Sequence, residues 1–186
     1  MIKNVKFDLL IGNPPYGKNS NLAIKFLNLG VKLSTQVRYV LPRTFRKVSV
    51  QNRIDARLHL VHDETVADHM FPDSIVTCYQ VWETRNLPRL PVQKTTHHKD
   101  LEFVSPAQAN VCVGRVGGGP CGKVFLSGFL TRSINSHYFI RTSDEVIAQL
   151  QKLSDQFRQA GLQTVGVPSL SKHELIEIYT QHVVEK

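Results

Sequence analysis

Four consecutive residues, Asn13, Pro14, Pro15 and Tyr16, combine groups that suit the binding of an amino group. The two prolines stiffen the loop and remove two amide donors, which leaves the carbonyl of Pro14 free to face a ligand. The side-chain oxygen of Asn13 beside that carbonyl makes a pair of acceptors for an exocyclic amino group. Accepting both amino protons prepares the nitrogen lone pair to attack an electrophilic carbon. Tyr16 adds an aromatic plane on which a base removed from its duplex could stack, an interaction worth about 1 to 3 kcal/mol.

The segments around this loop predict a strand, a helix and a second strand. Residues 5–11 are apolar and β-prone, residues 37–41 read as a buried strand, and Pro42 ends that strand. Between them, apolar side chains recur at helical spacing: Leu22, Phe26, Leu29 and Leu33 share one face, with Ala23, Leu27 and Val31 beside them. This order predicts a parallel crossover and places the loop at the carboxyl end of the first strand, where open α/β sheets bind ligands.

The rest of the chain predicts two regions that differ in composition. A short helix over 50–56 and strands over 58–61 and 75–82 complete a first region, residues 1–85. Residues 86–99 contain two prolines and no periodicity, which is typical of a linker or of the start of a second subdomain. Strands over 111–116, 124–130 and 137–140 and two helices then predict a smaller α+β region, residues 86–186.

Two capping boxes predict where the last two helices begin. Thr142 with Glu145 opens one helix, and Ser171 with Glu174 opens the other. The first helix carries an apolar stripe and ends at Gly161. The stripe consists of Val146, Leu150, Leu153 and Phe157.

Composition and charge narrow the function classes. The 186 residues are 41% hydrophobic, which argues against general disorder, and no apolar run approaches the roughly 18 residues of a membrane span. With 23 Lys and Arg against 15 Asp and Glu, the net charge of +8 favours an anionic partner, nucleic acid ahead of a membrane surface. We read no signal peptide and expect a cytoplasmic protein. Three cysteines without a Cys-x-x-Cys pair, and His97 and His98 at no common zinc spacing, predict reduced thiols and no metal site.

Residues 7–16, Phe-Asp-Leu-Leu-Ile-Gly-Asn-Pro-Pro-Tyr, resemble the catalytic motif of the amino-group DNA methyltransferases, specifically the N6-adenine branch. Residues 40–45 resemble the next strand of that family and its polar loop, and residues 69–72 resemble the segment that places a second aromatic ring against the target base. The resemblance implies that Asn13 and Pro14 bind the adenine amino group and that Tyr16 and Phe71 sandwich its ring. A core position for Phe71 and a plain turn at residues 13–16 are the structural alternatives.

Basic residues in two places are candidate DNA contacts. Those near the loop are Lys18, Arg43, Arg46 and Lys47, and those in or near a Gly-rich hairpin are Arg115, Lys123 and Arg132. A solvated helix face and an ordinary β-turn would show the same residues. The stretch 117–123 also spells a phosphate-binding loop as far as Lys123, but Val124 lacks the required hydroxyl and continues as β structure.

The family also implies a methyl donor, S-adenosylmethionine, held by a Phe-x-Gly-x-Gly-like loop. Nothing of that kind precedes residue 13. The sequence therefore resembles the catalytic half of a partial Rossmann-like methyltransferase sheet. In the full fold the strand ending at Asn13 is central, so we expect a bare apolar edge that a donor-binding partner or a second copy covers. The alternative is a non-catalytic DNA-binding or regulatory protein derived from such an enzyme.

Overall fold

A computed structural model describes residues 6–67 and 76–184, and the chain divides into two compact units between Gln93 and Lys94. Residues 86–93 belong to the first unit, although the composition changes at residue 85. Arg89 holds them there because its guanidinium donates to the carbonyls of Gln51, Ile54 and Leu58. The segment 69–72, including Phe71, lies outside the described residues.

The first unit is a mixed four-stranded sheet with helices. Along the chain its elements are β1 (Phe7–Gly12), α1 (Asn21–Leu33), β2 (Ser34–Pro42), α2 (Val48–Gln51), β3 (Leu58–Thr65) and β4 (Thr77–Thr84). The strand order is β1-β2-β4-β3. β1 pairs with β2 in parallel, whereas β4 is antiparallel to both of its neighbours. The predicted parallel crossover is confirmed.

The crossover helix α1 packs closely on the sheet. Its buried residues are Ala23, Ile24, Leu27, Gly30 and Val31. A Cβ at position 30 would lie 2.6 Å from Cγ2 of Val37 in β2, so only glycine allows this approach. Leu22, Phe26 and Leu29 are instead exposed, which shows that the buried face is turned away from the most apolar stripe of the helix.

β1 forms one edge of the first sheet, and one of its faces is open. Leu10 points toward α1 and packs against the core. The alternate side chains of Phe7, Leu9 and Ile11 are 52%, 43% and 68% exposed. The expected bare apolar edge is therefore present at this strand.

The second unit contains a small antiparallel sheet and three helices. Its elements are β5 (Glu102–Phe103), β6 (Val111–Gly114), β7 (Val124–Phe125), β8 (His137–Arg141), α3 (Asp144–Lys152), α4 (Ser154–Gly161) and α5 (Lys172–Val184). The strand order is β5-β8-β6-β7. Only two residues of the strand predicted over 124–130 are in β structure. No helix within the described part of the chain is long and apolar enough to cross a membrane.

The helix starts in the second unit follow the predicted capping chemistry with one correction. Ser143, and not Thr142, caps α3, because its hydroxyl accepts the N–H of Val146 at 3.5 Å. The hydroxyl of Thr142 is bonded to a backbone carbonyl instead. Ser171 and Glu174 form the predicted reciprocal pair at the start of α5, at 2.8 and 3.2 Å. The apolar stripe predicted for the first helix is buried, but two helices, α3 and α4, share it.

Replacing Gly30 by alanine tests the close contact of α1 with β2. Although alanine favours helix by about 1 kcal/mol, Gly30→Ala should lower the free energy of unfolding by about 1 to 3 kcal/mol because Val37 must move. The measurement is urea unfolding followed by the fluorescence of Trp82, the single tryptophan, which is buried in the first unit. Gly12→Ala is the control: its Cβ would lie an ordinary 3.6 Å from Tyr39, so a loss as large as at position 30 would contradict the explanation.

Candidate functional site

The candidate loop lies where the two parallel strands end. Because β1 and β2 run in the same direction, their carboxyl ends lie at the same edge of the sheet. Residues 13–20 follow β1, and the 3-10 turn Arg43–Arg46 follows β2. The hydroxyls of Ser20 and Thr44 are 3.0 Å apart and join the two segments. This is the position at which open α/β sheets bind ligands.

Backbone contacts fix the loop to the start of α1. The carbonyl of Tyr16 accepts the N–H of Leu22 at 3.2 Å. Gly17 has a φ of +66°, and a Cβ there would lie 2.8 Å from Cγ of Leu22. Asn19 and Ser20 also have positive φ values, 53° and 59°, which cost on the order of 1 kcal/mol each in residues other than glycine. Such conformations persist where the surrounding contacts determine the backbone, so the loop is held in one geometry.

Two hydrogen-bond acceptors in the loop are left without partners in the described chain. Asn13 is exposed, and its carboxamide makes no hydrogen bond there. Pro14 is buried, and its carbonyl likewise has no partner among those residues. An unpaired main-chain carbonyl next to an exposed carboxamide is available to accept a hydrogen bond from a donor such as an amino group.

Tyr16 is anchored in the core by its hydroxyl end. The ring packs against the buried cluster, and the hydroxyl is buried with no partner among the described residues. Burial raises the pKa of Tyr16, and the nearby charge of a Cys78 thiolate would raise it further. Burial also raises the pKa of Cys78 to about 12, so both groups stay neutral. Because the hydroxyl end is buried, the stacking plane expected of Tyr16 is limited to the rest of its half-buried ring.

The basic residues expected near the loop are mostly used inside the first unit. Arg43 donates to a main-chain carbonyl of β4 at 3.3 Å, Arg46 forms an ion pair with Asp63, and Lys47 is buried. Lys18 is the one of the four predicted residues that is exposed. The predicted role of these residues in phosphate contact is therefore strongest for Lys18, and the others stabilise the loop after β2.

The ion pair of Arg46 belongs to a hydrogen-bonded chain that we did not predict. Asp63 also accepts the side-chain amide of Gln80 at 2.6 Å, and Gln80 accepts the indole N–H of Trp82 at 3.1 Å. The strand predicted over 58–61 ends before Asp63, whereas β3 continues to Thr65. The sequence does contain a signal for this ion pair. Asp63 is an acidic residue just after an apolar strand, in a region where basic residues predominate.

The three basic residues predicted in the second unit do not form one surface. The guanidinium carbon of Arg115 lies 5.1 Å from the ring centre of Tyr138, and that of Arg132 lies 3.7 Å from that of Phe125. These rings project from opposite faces of the second sheet, because their partners in β6 are adjacent residues. Lys123 is exposed at the end of the Gly-rich turn. A single basic hairpin surface is therefore not formed.

The described residues do not fit a donor site for S-adenosylmethionine. The glycine-rich candidate, residues 117–123, is a tight turn in which the N–H of Cys121 donates to the carbonyl of Gly117 at 3.1 Å. It joins two antiparallel strands, β6 and β7, and no helix follows it. The resemblance implies a donor pocket built from several strand and helix units, whereas β1 is the edge strand of its sheet among the described residues.

Comparison of the chain with protein-family models, with curated proteins and with solved structures finds no match. Within residues 6–67 and 76–184, no group of three or more His, Cys, Asp or Glu side chains is placed to hold a metal ion. All three cysteines are buried thiols. The functional argument therefore depends on the loop 13–16 and on its geometry.

Tyr16→Phe tests whether the buried hydroxyl is unpaired. Because this change removes an unsatisfied polar atom, the free energy of unfolding should stay unchanged or rise by at most about 3 kcal/mol. Urea unfolding monitored by Trp82 fluorescence gives the value, and Tyr79→Phe, the same change at a half-buried position of β4, should alter it by less than about 0.5 kcal/mol. A clear loss of stability in Tyr16→Phe would mean that the hydroxyl has a partner.

The raised pKa of Tyr16 also predicts a dependence on pH. Above pH 10.0, the ordinary tyrosine pKa, the unfolded chain loses the phenolic proton while the folded unit keeps it. Stability should therefore fall as pH rises above that value, and Tyr16→Phe should reduce the fall. Unfolding curves of both proteins at alkaline pH measure it, and equal slopes would contradict the burial of this hydroxyl.

Proposed function

We propose that this chain is the adenine-binding part of an adenine-specific DNA N6-methyltransferase. The observation that carries the proposal is the pair of unpaired acceptors, the Asn13 carboxamide and the Pro14 carbonyl, at the carboxyl end of β1. The sequence of the loop and of the strand before it resembles the family's catalytic motif. The resemblance indicates the reaction class, methyl transfer to adenine. The two unpaired acceptors give a physical reason for an asparagine followed by a proline in this loop.

The proposed role of the loop is to bind and orient the 6-amino group of an adenine that has left the duplex. The amino group has two N–H donors, and the loop has two acceptors for them. With both protons bound, the nitrogen lone pair is less delocalised into the ring and more nucleophilic. The open part of the Tyr16 ring would contact the base, and the resemblance implies that Phe71 would contact the other side of it. S-adenosylmethionine would supply the methyl group, but we assign no transfer step to this chain alone because its described residues do not fit the donor.

A second protein surface is needed to complete such an enzyme. The apolar side chains of Phe7, Leu9 and Ile11 are exposed beside the edge of β1 that pairs with no strand among the described residues. Leu22, Phe26 and Leu29 add an exposed stripe on α1. A donor-binding partner that adds a strand to β1 would cover the edge and bring its donor loop next to residues 13–16. A second copy of the chain would cover the same edge without supplying a donor.

The alternative function is DNA binding or regulation without catalysis. Residues 1–93 contain 13 Lys and Arg against 7 Asp and Glu, a net charge of +6, whereas residues 94–186 have 10 against 8. This excess favours a polyanion at the first unit, and the absence of a fitting donor site within the described residues favours a protein that does not transfer methyl groups. The two candidate functions differ in their need for Asn13: adenine binding requires its side chain, whereas DNA binding without catalysis does not.

The adenine-binding role predicts a preference for the 6-amino group. Binding is measured by fluorescence anisotropy on labelled duplexes that carry either adenine or purine, which lacks the amino group, opposite an abasic site. An unpaired target base lowers the cost of flipping. Two hydrogen bonds of about 0.5 to 1.5 kcal/mol each predict a preference for adenine of roughly 5- to 150-fold.

Asn13→Ala should reduce that preference to a few fold while leaving most of the affinity for purine. Asn86→Ala, which removes an exposed amide elsewhere in the first unit, is the matched control and should bind as the wild type does. Equal affinity of the wild type for the two bases, together with salt-dependent binding, would reject the adenine site and favour the alternative. Transfer of labelled methyl to the adenine duplex when a donor-binding chain is added, lost in Asn13→Ala, would show catalysis.

A further inference from the structure

The segment after β4, residues 85–91, has the sequence Arg-Asn-Leu-Pro-Arg-Leu-Pro and lies outside the helices and strands. Pro88 and Pro91 are three residues apart, and each follows a leucine. Proline fixes its own φ at about −65° and restricts the residue before it to extended conformations. The backbone bends at Asn86 and Leu87 and has no further bend or turn up to His97. The spacing and the backbone favour polyproline II, a helix with three residues per turn.

One side of this segment is bound to the first unit. The backbone N–H of Arg89 donates to the carbonyl of Ala56 at 2.7 Å, and its guanidinium donates to three further carbonyls. Three residues on, the side chain of Asn52 bonds both main-chain groups of Val92, at 2.9 and 3.0 Å. Because three residues make one turn of polyproline II, Arg89 and Val92 lie on the same ridge. This ridge faces the protein.

The other two ridges of the segment face solvent. Leu87 and Leu90 are 79% and 86% exposed, and Pro88 and Pro91 are exposed as well. Leu90 is the most exposed large apolar side chain in the described part of the chain. Since the third ridge is bound to the first unit, the fold presents two Leu-Pro pairs, one turn apart, on the outside of the molecule.

A groove of the SH3 type binds this arrangement of residues. Such a groove is lined by aromatic rings and takes a preformed polyproline II helix. Two neighbouring pockets each receive one residue pair that ends in proline, and the residue between the pairs points away from the groove. In this chain that residue is Arg89, which is already turned toward the first unit. The ridge that the fold uses is therefore the one that a groove leaves free.

Arg85 adds a positive charge at one end of the segment. It precedes Pro88 by three residues, and its side chain is 51% exposed. Its ion pair with Glu83, at 3.0 Å, lies at the surface, where such pairs contribute little to stability. Acidic side chains at the end of a partner's groove could therefore bind the guanidinium in place of Glu83. This charge favours an SH3-type groove with an acidic pocket over a groove that takes proline alone.

We propose that residues 85–91 bind the groove of an SH3-type domain of another protein. Leu87-Pro88 and Leu90-Pro91 fill its aromatic pockets, and Arg85 pairs with its acidic pocket. Because Arg89 and Val92 hold the segment in place before the partner arrives, little conformational entropy is lost on binding. The inference goes beyond the proposed adenine binding, since it involves neither the loop 13–16 nor the edge of β1.

Calorimetry with the full chain and an isolated SH3 domain that has an acidic pocket tests the proposal. Leu87→Ala and Leu90→Ala should each weaken binding by roughly tenfold or more, because each removes apolar area from a pocket. Both side chains are largely exposed, so both variants should fold normally. Leu130→Ala is the matched control, since Leu130 is 79% exposed in the second unit, and its affinity should equal that of the wild type. No binding of the domain, or wild-type affinity in both leucine variants, would overturn the proposal.

Arg85→Gln tests the acidic pocket by itself. It should weaken binding to the SH3 domain several fold, and it should have little effect when the acidic residues of that pocket are changed to their amides. Lys152→Gln, the same charge change at an exposed position of α3, should leave binding unchanged. An equal loss with both forms of the SH3 domain, or tighter binding of a WW domain, would refute the SH3-type assignment. The readout is affinity for a protein domain, so failure here leaves the preference for adenine over purine at Asn13 as a separate result.

Discussion

The parallel pairing of β1 with β2 is the constraint on which the candidate site depends. A parallel pair requires a crossover, and α1 supplies it by packing Gly30 directly against Val37. The pairing brings the carboxyl ends of both strands to one edge, where Ser20 and Thr44 join the two following loops. Without this register, residues 13–16 would follow a strand that has no neighbouring loop to support them.

The crossover and the loop could be predicted because their signals are local. Apolar periodicity identifies β1, α1 and β2, and two prolines after a strand identify a stiff loop whatever surrounds it. The buried face of α1 could not be predicted, because the helix has apolar residues on more than one side and tertiary packing selects Ala23, Leu27 and Val31. The same limit applies to Arg46, whose basic character is visible in the sequence, whereas its ion pair with Asp63 depends on how β3 and β4 pair.

The two units differ in how much of their positive charge is available to a polyanion. The first unit carries most of the net charge, yet several of its basic side chains stabilise the loop after β2 and are not fully exposed to solvent. The second unit is almost neutral, but packing places Arg115 and Lys172 over aromatic rings, where neither is ion-paired with a described residue. A count of charged residues in the sequence therefore overestimates the positive charge that the first unit exposes. It also overlooks the two cations that packing isolates in the second unit. What decides availability is whether a cation already has an acidic or carbonyl partner.

The geometry of the loop does not depend on a donor or a partner. Tyr16 is anchored by its buried hydroxyl end, its carbonyl caps α1, and positive φ values at Gly17, Asn19 and Ser20 are maintained by contacts within the first unit. A loop that is already ordered loses little conformational entropy when it binds a base. In the proposed function, recognition of the amino group by this unit and completion of its sheet by another protein would therefore be separable steps. An enzyme built in this way would be controlled by the availability of the surface that covers β1, since the acceptors themselves are ready before it arrives.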